Sequence, residues 1–395
     1  MIKLFNRQGM SWCLLALAGA LQLGACRKTD YPTVQSPAYL RVFNDLTYNV
    51  TLDNKDAPPP YLIMMIDPVM GDSSAPVSAA ITCDYLNTRG ELARPYPDAG
   101  NTSLWQTEFP GTMKVAVGPI LNGYDLSSYG QVPSGKHRFV FATRPLSNAP
   151  FFSLSAENRK HFLVDTVLDL QQGEVYTMNI LEQSVYTAKT IAYVRQEQFT
   201  RQSFSDSAVY VNFYNLSAEG YNQTFVYDEA GGNLNRNLKD TMNVYYTLFG
   251  TSPGANQPGQ LPGYQNVFMT TMLRSQEPVA HPYYHFPLFP IPSWNRIYAG
   301  QQSQKFTFSA PSNPSDHLDN GANVENYGNA ATVSIGPVAG TAVYNIMADQ
   351  NTGLIISIRS GIYNPRSFAT INTIEYVNGN VYLTVLQRKY DPPIY

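Results

Sequence analysis

Two short stretches written to the same pattern constrain this chain most. Ala38–Asn44 reads AYLRVFN and Val209–Asn215 reads VYVNFYN; both alternate in a period of two and both end in Asn. A period of two belongs to a β-strand, whose successive side chains point to opposite faces, and Asn tolerates the tight turn that follows. A second echo sets RFVF at Arg138–Phe141, after the turn Pro133-Ser134-Gly135, against KFTF at Lys305–Phe308. A third sets FLVDTVLDLQQGEVY at Phe162–Tyr176 against FATINTIEYVNGNVY at Phe368–Tyr382, with Gly173 and Gly379 each in a turn between two strands. Three echoes in one order predict an internal duplication.

Composition favours the same class. Aromatic residues make up 13% of the chain, with 28 Tyr, and charged residues only 14%, where about a quarter is usual. Tyr and β-branched residues suit pleated, half-buried surfaces. The fold expected is all-β: two tandem immunoglobulin-like or transthyretin-like β-sandwich domains, at 36–202 and 203–395. The second carries a loop insertion near 310–350, rich in Asn, Gly, Ser and Pro.

The first residues read as a processing signal. Lys3 and Arg7 precede the apolar run MSWCLLALAGALQLGA, which is shorter than the about 20 apolar residues that a membrane-crossing helix needs. Leu23-Gly24-Ala25-Cys26 resembles the lipobox of bacterial lipoproteins. That resemblance implies a leader at 1–25, acyl chains on Cys26 and a tether at 26–35. The partner so implied is a membrane, held through lipid on Cys26. Arg27 is not the Asp that favours inner-membrane retention in enterobacterial lipoproteins, so the outer membrane is the expected location, with the periplasmic and surface faces both open. Cys13 lies in the leader and Cys26 would carry lipid, so only Cys83 of the three cysteines remains and no intramolecular disulfide is expected in the mature chain. Cys83 reads as a small buried residue.

AYLRVFN, PSGKHRFVFA and LDLQQGEVYTMNI together resemble an Ig-like β-sandwich family, number 4397 in the domain-of-unknown-function series, abundant in lipoproteins of the Bacteroidota. Gly173, Tyr176 and Thr177 match its late G-x-x-Y-T strand; in the second copy Gly379 and Tyr382 match and Leu383 replaces Thr. The resemblance implies a fold and a compartment, and no catalytic residues.

The reactive motifs are few. Gly250-Thr251-Ser252-Pro253-Gly254 fits G-x-S-x-G, but a nucleophile elbow needs a backbone N–H after the Ser, and Pro253 has none. His281 and His285 stand four apart, yet Pro282 and Pro287 argue against a helix. On a strand such residues lie about 13 Å apart, so no metal is assigned. Asp316–Gly321, DHLDNG, lacks the third and twelfth ligands of an EF-hand, with Leu318 and Tyr327 at those places; an irregular calcium loop stays open. No cofactor is assigned.

Charge limits the partners. The chain has 26 Lys and Arg and 29 Asp and Glu, and losing Lys3 and Arg7 with the leader leaves 24 against 29, a net of −5. Nothing there suits nucleic acid. The aromatic stretch His281–Tyr298 nominates Tyr283, Tyr284 and Trp294, with Trp105, as a platform for flat ligands such as sugars. The function expected is a non-catalytic binding module, capturing a glycan or an outer-membrane protein partner beside a nutrient-uptake system. Two alternatives stand with it: a structural adhesin or pilus-like subunit, which predicts an unpaired edge strand, and a glycoside-active enzyme with an unidentified carboxylate pair.

Overall fold

The computed structural model describes residues 34–46, 61–89, 108–111, 113–145, 147–187, 189–205, 208–221, 240–250, 259–287, 303–309, 330–335, 354–356, 370–378 and 380–387. Strands dominate these residues, so the chain is all-β. None of their helices is long and apolar enough to cross a membrane. The leader, Cys26, Trp105, Ser252, Trp294 and Asp316–Gly321 lie outside the described residues.

The first ten strands are β1 (Pro37–Asn44), β2 (Tyr61–Met70), β3 (Pro76–Leu86), β4 (Ile120–Leu121), β5 (Tyr124–Asp125), β6 (Gly130–Pro133), β7 (Gly135–Arg144), β8 (Phe162–Leu170), β9 (Val175–Ser184) and β10 (Lys189–Gln196). They form one sheet in the order β10-β9-β1-β6 and another in the order β3-β2-β7-β8, with β4 and β5 as a separate pair. The next ten are β11 (Ala208–Asn215), β12 (Thr241–Gly250), β13 (Gly259–Gln260), β14 (Val267–Leu273), β15 (Tyr284–Pro287), β16 (Ser303–Ser309), β17 (Ala330–Ile335), β18 (Leu354–Ile356), β19 (Thr370–Val377) and β20 (Asn380–Gln387). These give a sheet in the order β15-β11-β19-β20 and a sheet in the order β13-β12-β16-β17-β18, in which β14 also pairs with β12.

The connectivity of the first pair of sheets recurs in the second. β1 lies parallel to β9 and antiparallel to β6; β11 lies parallel to β19 and antiparallel to β15. β9 pairs antiparallel with β10, as β19 does with β20. In the companion sheets, β2 lies between β3 and β7 with β8 beyond, as β12 lies between β14 and β16 with β17 beyond. AYLRVFN is therefore the counterpart of VYVNFYN, and RFVF of KFTF. The third echo joins unlike strands. Its first member crosses from one sheet to the other through β8 and β9, whereas its second is the β19–β20 hairpin within a single sheet. A tight turn between two amphipathic strands leaves the same trace in sequence whichever way the chain leaves it. Gly173 sits in such a turn at φ +77°, and Asn378 at φ +44° opens the hairpin; Gly379 lies outside the described residues.

Each pair of sheets encloses its own apolar cluster. Leu40, Val42, Met64, Phe139, Phe141 and Met178 fill the first; Val211, Phe213, Val244, Phe306, Phe308 and Ile374 fill the second. Each such side chain contributes about 1.5–3 kcal/mol by leaving water. Cys83 belongs to the first cluster, and burial pushes its thiol pKa up, as suits an inert small side chain.

Strand β1 is buried on both faces: after Pro37, every residue to Asn44 is buried. Ala38, Leu40 and Val42 meet the first cluster, so Tyr39, Arg41 and Phe43 point the other way. On β11, Val209, Val211 and Phe213 meet the second cluster, leaving Tyr210, Asn212 and Tyr214 on the opposite face. These two opposite faces pack on each other. Tyr39, Tyr129, Val175 and Phe199 share one apolar cluster with Ile371 and Leu386, while Leu181 and Tyr193 share another with Tyr214, Leu216 and Tyr382. The strands belong to one compact unit, Val34–Tyr395. A sheet covered on both faces loses the clean inside-outside alternation of a half-exposed one.

Candidate functional site

The join between the two sheet pairs holds the densest chemistry among the described residues. Strand β1 supplies Arg41 and Phe43, β9 supplies Thr177 and Asn179, and β10 supplies Tyr193 and Arg195, all by the period of two that aims alternate residues away from the first cluster. Asp45, Arg89 and Glu197 follow the ends of β1, β3 and β10. From the other side, β19 sends in Glu375 and β20 Tyr382.

Glu375 is clasped by two arginines. The Arg195 guanidinium donates to its Oε1 and Arg89 Nη1 to its Oε2, and all three side chains are at most 1% exposed. Arg195 Nε also donates to Glu197 Oε1 at 2.9 Å, and Thr177 Oγ1 donates to that same oxygen at 2.6 Å. On the far side of Arg89, Asp45 Oδ2 lies 3.6 Å from Nη1 and accepts from Asn179 Nδ2 at 2.7 Å. Aromatic faces cover the cations: Arg89 stands 3.8 Å from the Phe43 ring centre and 4.8 Å from that of Tyr382, and Arg195 stands 4.4 Å from Tyr214. Arg41 reaches Glu108 through Nε at 2.7 Å.

The two buried carboxyls shift in opposite directions. Burial alone would raise Glu375, but Arg195 and Arg89 outweigh it and hold its pKa at about 2. For Asp45 burial dominates; Arg89, already committed to Glu375, only partly offsets it, and the pKa stands at about 6. Among the described residues, Asp45 Oδ1, Asn179 Oδ1 and Arg89 Nη2 have no hydrogen-bond partner. Buried polar atoms of this kind are the usual anchors of internal water. With its side chains buried and Glu375 bound by arginines of the first sheet pair, the cluster links one sheet pair to the other.

Of the residues nominated from sequence, Trp105 and Trp294 lie outside the described residues, and Tyr283 and Tyr284 part company. Tyr283 and Tyr284 are half-buried neighbours aimed at different interiors. Tyr283 packs edge-on against Phe204 at 5.3 Å in the join, and burial raises its hydroxyl pKa. Tyr284 lies against Phe213 in the second cluster, with its hydroxyl 2.7 Å from Thr270 Oγ1. The two rings form no common surface. His281 stacks on Tyr214 at 4.2 Å with its Nδ1 2.6 Å from the Phe213 carbonyl oxygen, whereas His285 is exposed beside Tyr210. Among the described residues no three of His, Cys, Asp and Glu gather as metal ligands.

No motif in the sequence singles out Glu375, Arg195 or Arg89. Their signal is Arg41, Arg195 and Glu375 lying within strand-like apolar runs of a chain poor in charge. A charge on the second face of a strand looks solvent-facing until something is known to cover that face.

The open side of the first sheet pair is a groove of about 570 Å³ between β8 and β10, lined by Phe162, Val164, Thr166, Lys189, Ile191 and Ala192.

No family model matches the chain, and no curated protein matches it. Among solved structures it is similar to the product complex of a multi-modular glycogen-degrading pneumococcal virulence factor, SpuA, at 11% identity and a TM-score of 0.17. The match covers 88% of this chain and 22% of that one, so the chain spans about a fifth of that structure's length. At that TM-score the likeness carries no argument about fold or activity.

Proposed function

We propose that the chain is a non-catalytic binding module made of two tandem immunoglobulin-like sandwich domains, 36–202 and 203–395, tethered by lipid on Cys26 to the outer membrane. It holds a glycan or a partner protein close to that membrane. The observation that carries this reading is the join: among the described residues, buried Arg89, Arg195 and Glu375 pair across two sheet pairs of the same connectivity, which supports one joined scaffold. A scaffold held in place before binding loses less entropy when it binds. Leu23-Gly24-Ala25-Cys26 supports the tether, and the recurrent connectivity supports the tandem arrangement.

A glycan array probed with the soluble chain from Arg27 to Tyr395 tests the binding half of the reading. Expected is retention of one glycan class at micromolar affinity; silence from a folded sample removes the glycan and leaves a protein partner. Radiolabelled palmitate tests the tether, with incorporation expected in the full chain and lost in Cys26→Ala. Equal incorporation in both would remove the anchor.

A further inference from the structure

The sheet pairs differ at one seam. In the second, β17 pairs on its outer side with the parallel strand β18, whose Leu354, Ile355 and Ile356 stand opposite Val333, Ser334 and Ile335; β18 also lies against β20. In the first, the counterparts of β17 and β20 are β8 and β10. Among the described residues no strand pairs with the outer side of β8, and the groove lies beside its first half, Phe162–Thr166, facing Lys189–Ala192 of β10. Register fixes the correspondence. Phe139 stands opposite Thr166 as Phe306 stands opposite Val333, so Thr166, Val167 and Leu168 match the three residues to which β18 adds.

An unpaired nine-residue edge is a template for strand addition unless something blunts it. β8 has no Pro and no Lys. Its acids, Asp165 and Asp169, stand opposite Val140 and Lys136 and are exposed. Arg138 already holds Asp165 through paired bonds of 2.8 and 2.6 Å. Asp169 accepts only a 3.4 Å bond from Gln171 and forms no ion pair among the described contacts. An entering strand therefore meets Val164 and Ala192 beside Lys189 and Thr190 in the groove, a row of backbone groups along β8, and, beyond the groove, the acid Asp169.

We propose that the β8–β10 groove takes up an extended segment of a partner protein, which adds parallel to β8 as β18 adds to β17. The segment carries two or three consecutive branched apolar residues followed within about three positions by a basic one that meets Asp169. This chain contains a segment of that chemistry in LIISIR, Leu354–Arg359. The inference does not depend on the lipid tether or on glycan capture.

The probe is a fluorescein-labelled synthetic peptide of Gln350–Gly361, titrated into the soluble chain and followed by anisotropy. Saturable binding is expected, together with slowed hydrogen exchange of the β8 amides. Because strand addition uses the peptide's own N–H groups, N-methylation at Ile355 and Ser357 should weaken binding at least about tenfold without touching the protein. Thr166→Arg fills the groove and should do the same, and Asp169→Asn should weaken it about two- to fivefold at low salt only. Absence of saturable binding to the folded chain overturns the proposal, as does binding that N-methylation leaves unchanged. A concentration-dependent dimer that Thr166→Arg abolishes would assign the groove to a second copy and overturn it too.

Discussion

Strands β9 and β19 occupy the same place in the two sheet pairs, and at the same step one carries Asn179 and the other Glu375. The first pair brings Arg89 and Arg195 to the join; the second answers with the one carboxylate that both share. Were the first pair to pack on a copy of itself, Asn179 would stand where Glu375 does, and the two arginines would lose their shared anion. The difference teaches how like scaffolds can be made to pack on each other in a single way. An ion pair between well-packed sheets adds little net stability over an apolar isostere, but a mismatched alternative leaves buried charge unanswered.

Removing the shared anion should have the largest effect. Glu375→Ala strands two guanidinium groups in the join, and a loss of about 3–5 kcal/mol is expected in urea unfolding, with the shift in midpoint as the readout. A change below about 1 kcal/mol would mean that the join does not rest on this residue.

Asp45 works the other way. Its pKa in the folded chain, about 6, lies above the ordinary 3.8. Between those values the folded chain holds a proton that the unfolded chain has lost, so this group's contribution to stability falls as pH rises and is lowest above pH 6. Asp45→Asn cannot ionise and still accepts from Asn179. It should raise stability by up to about 3 kcal/mol at pH 8 and change little at pH 4. Glu375, held at about 2 against an ordinary 4.5, gives a contribution that is present above pH 4.5 and lost as pH falls towards 2. Thermal melts across pH should therefore place the maximum near about pH 5, and the maximum should broaden upward in Asp45→Asn.

Smaller changes probe the likeness of the two halves. Asn44 and Asn215 end equivalent strands and make equivalent bonds: Oδ1 accepts from Leu46 N or Ser217 N, and Nδ2 donates to the Leu86 or Asp240 carbonyl oxygen. Alanine at either should cost about 1–3 kcal/mol, since each change removes a donated and an accepted bond to the backbone from a buried position. Unequal costs would show that the two turns are not doing the same work. Least of all should come from Asp165→Asn, which breaks an ion pair whose two side chains are nearly half exposed; such pairs are worth about 0–1 kcal/mol and fade with salt.

Much of the strand pattern was legible in the sequence. AYLRVFN and VYVNFYN fall on β1 and β11, and RFVF and KFTF on β7 and β16, because a strand packed on a core must keep its large apolar residues two apart. The third echo misled because residues around a tight turn report the turn and say nothing of whether the next strand stays in the sheet. The join was illegible for a different reason. Arg41, Arg195 and Glu375 sit where a half-exposed strand would place solvated charge, and only long-range packing of one sheet on another turns that face inward. Tyr283 and Tyr284 are adjacent in sequence yet reach different interiors, and the rest of the nominated platform, Trp105 and Trp294, lies outside the described residues.

A double-mutant cycle on Arg195→Met and Glu375→Leu in the full chain, with Asp45→Asn as background at pH 8, tests most directly whether complementary charge fastens the two halves. Predicted is a coupling of about 3 kcal/mol, so that the double variant loses clearly less than the sum of the two single losses. Single losses that simply add, with coupling under about 0.5 kcal/mol, would contradict the assignment of Glu375 as the shared clasp.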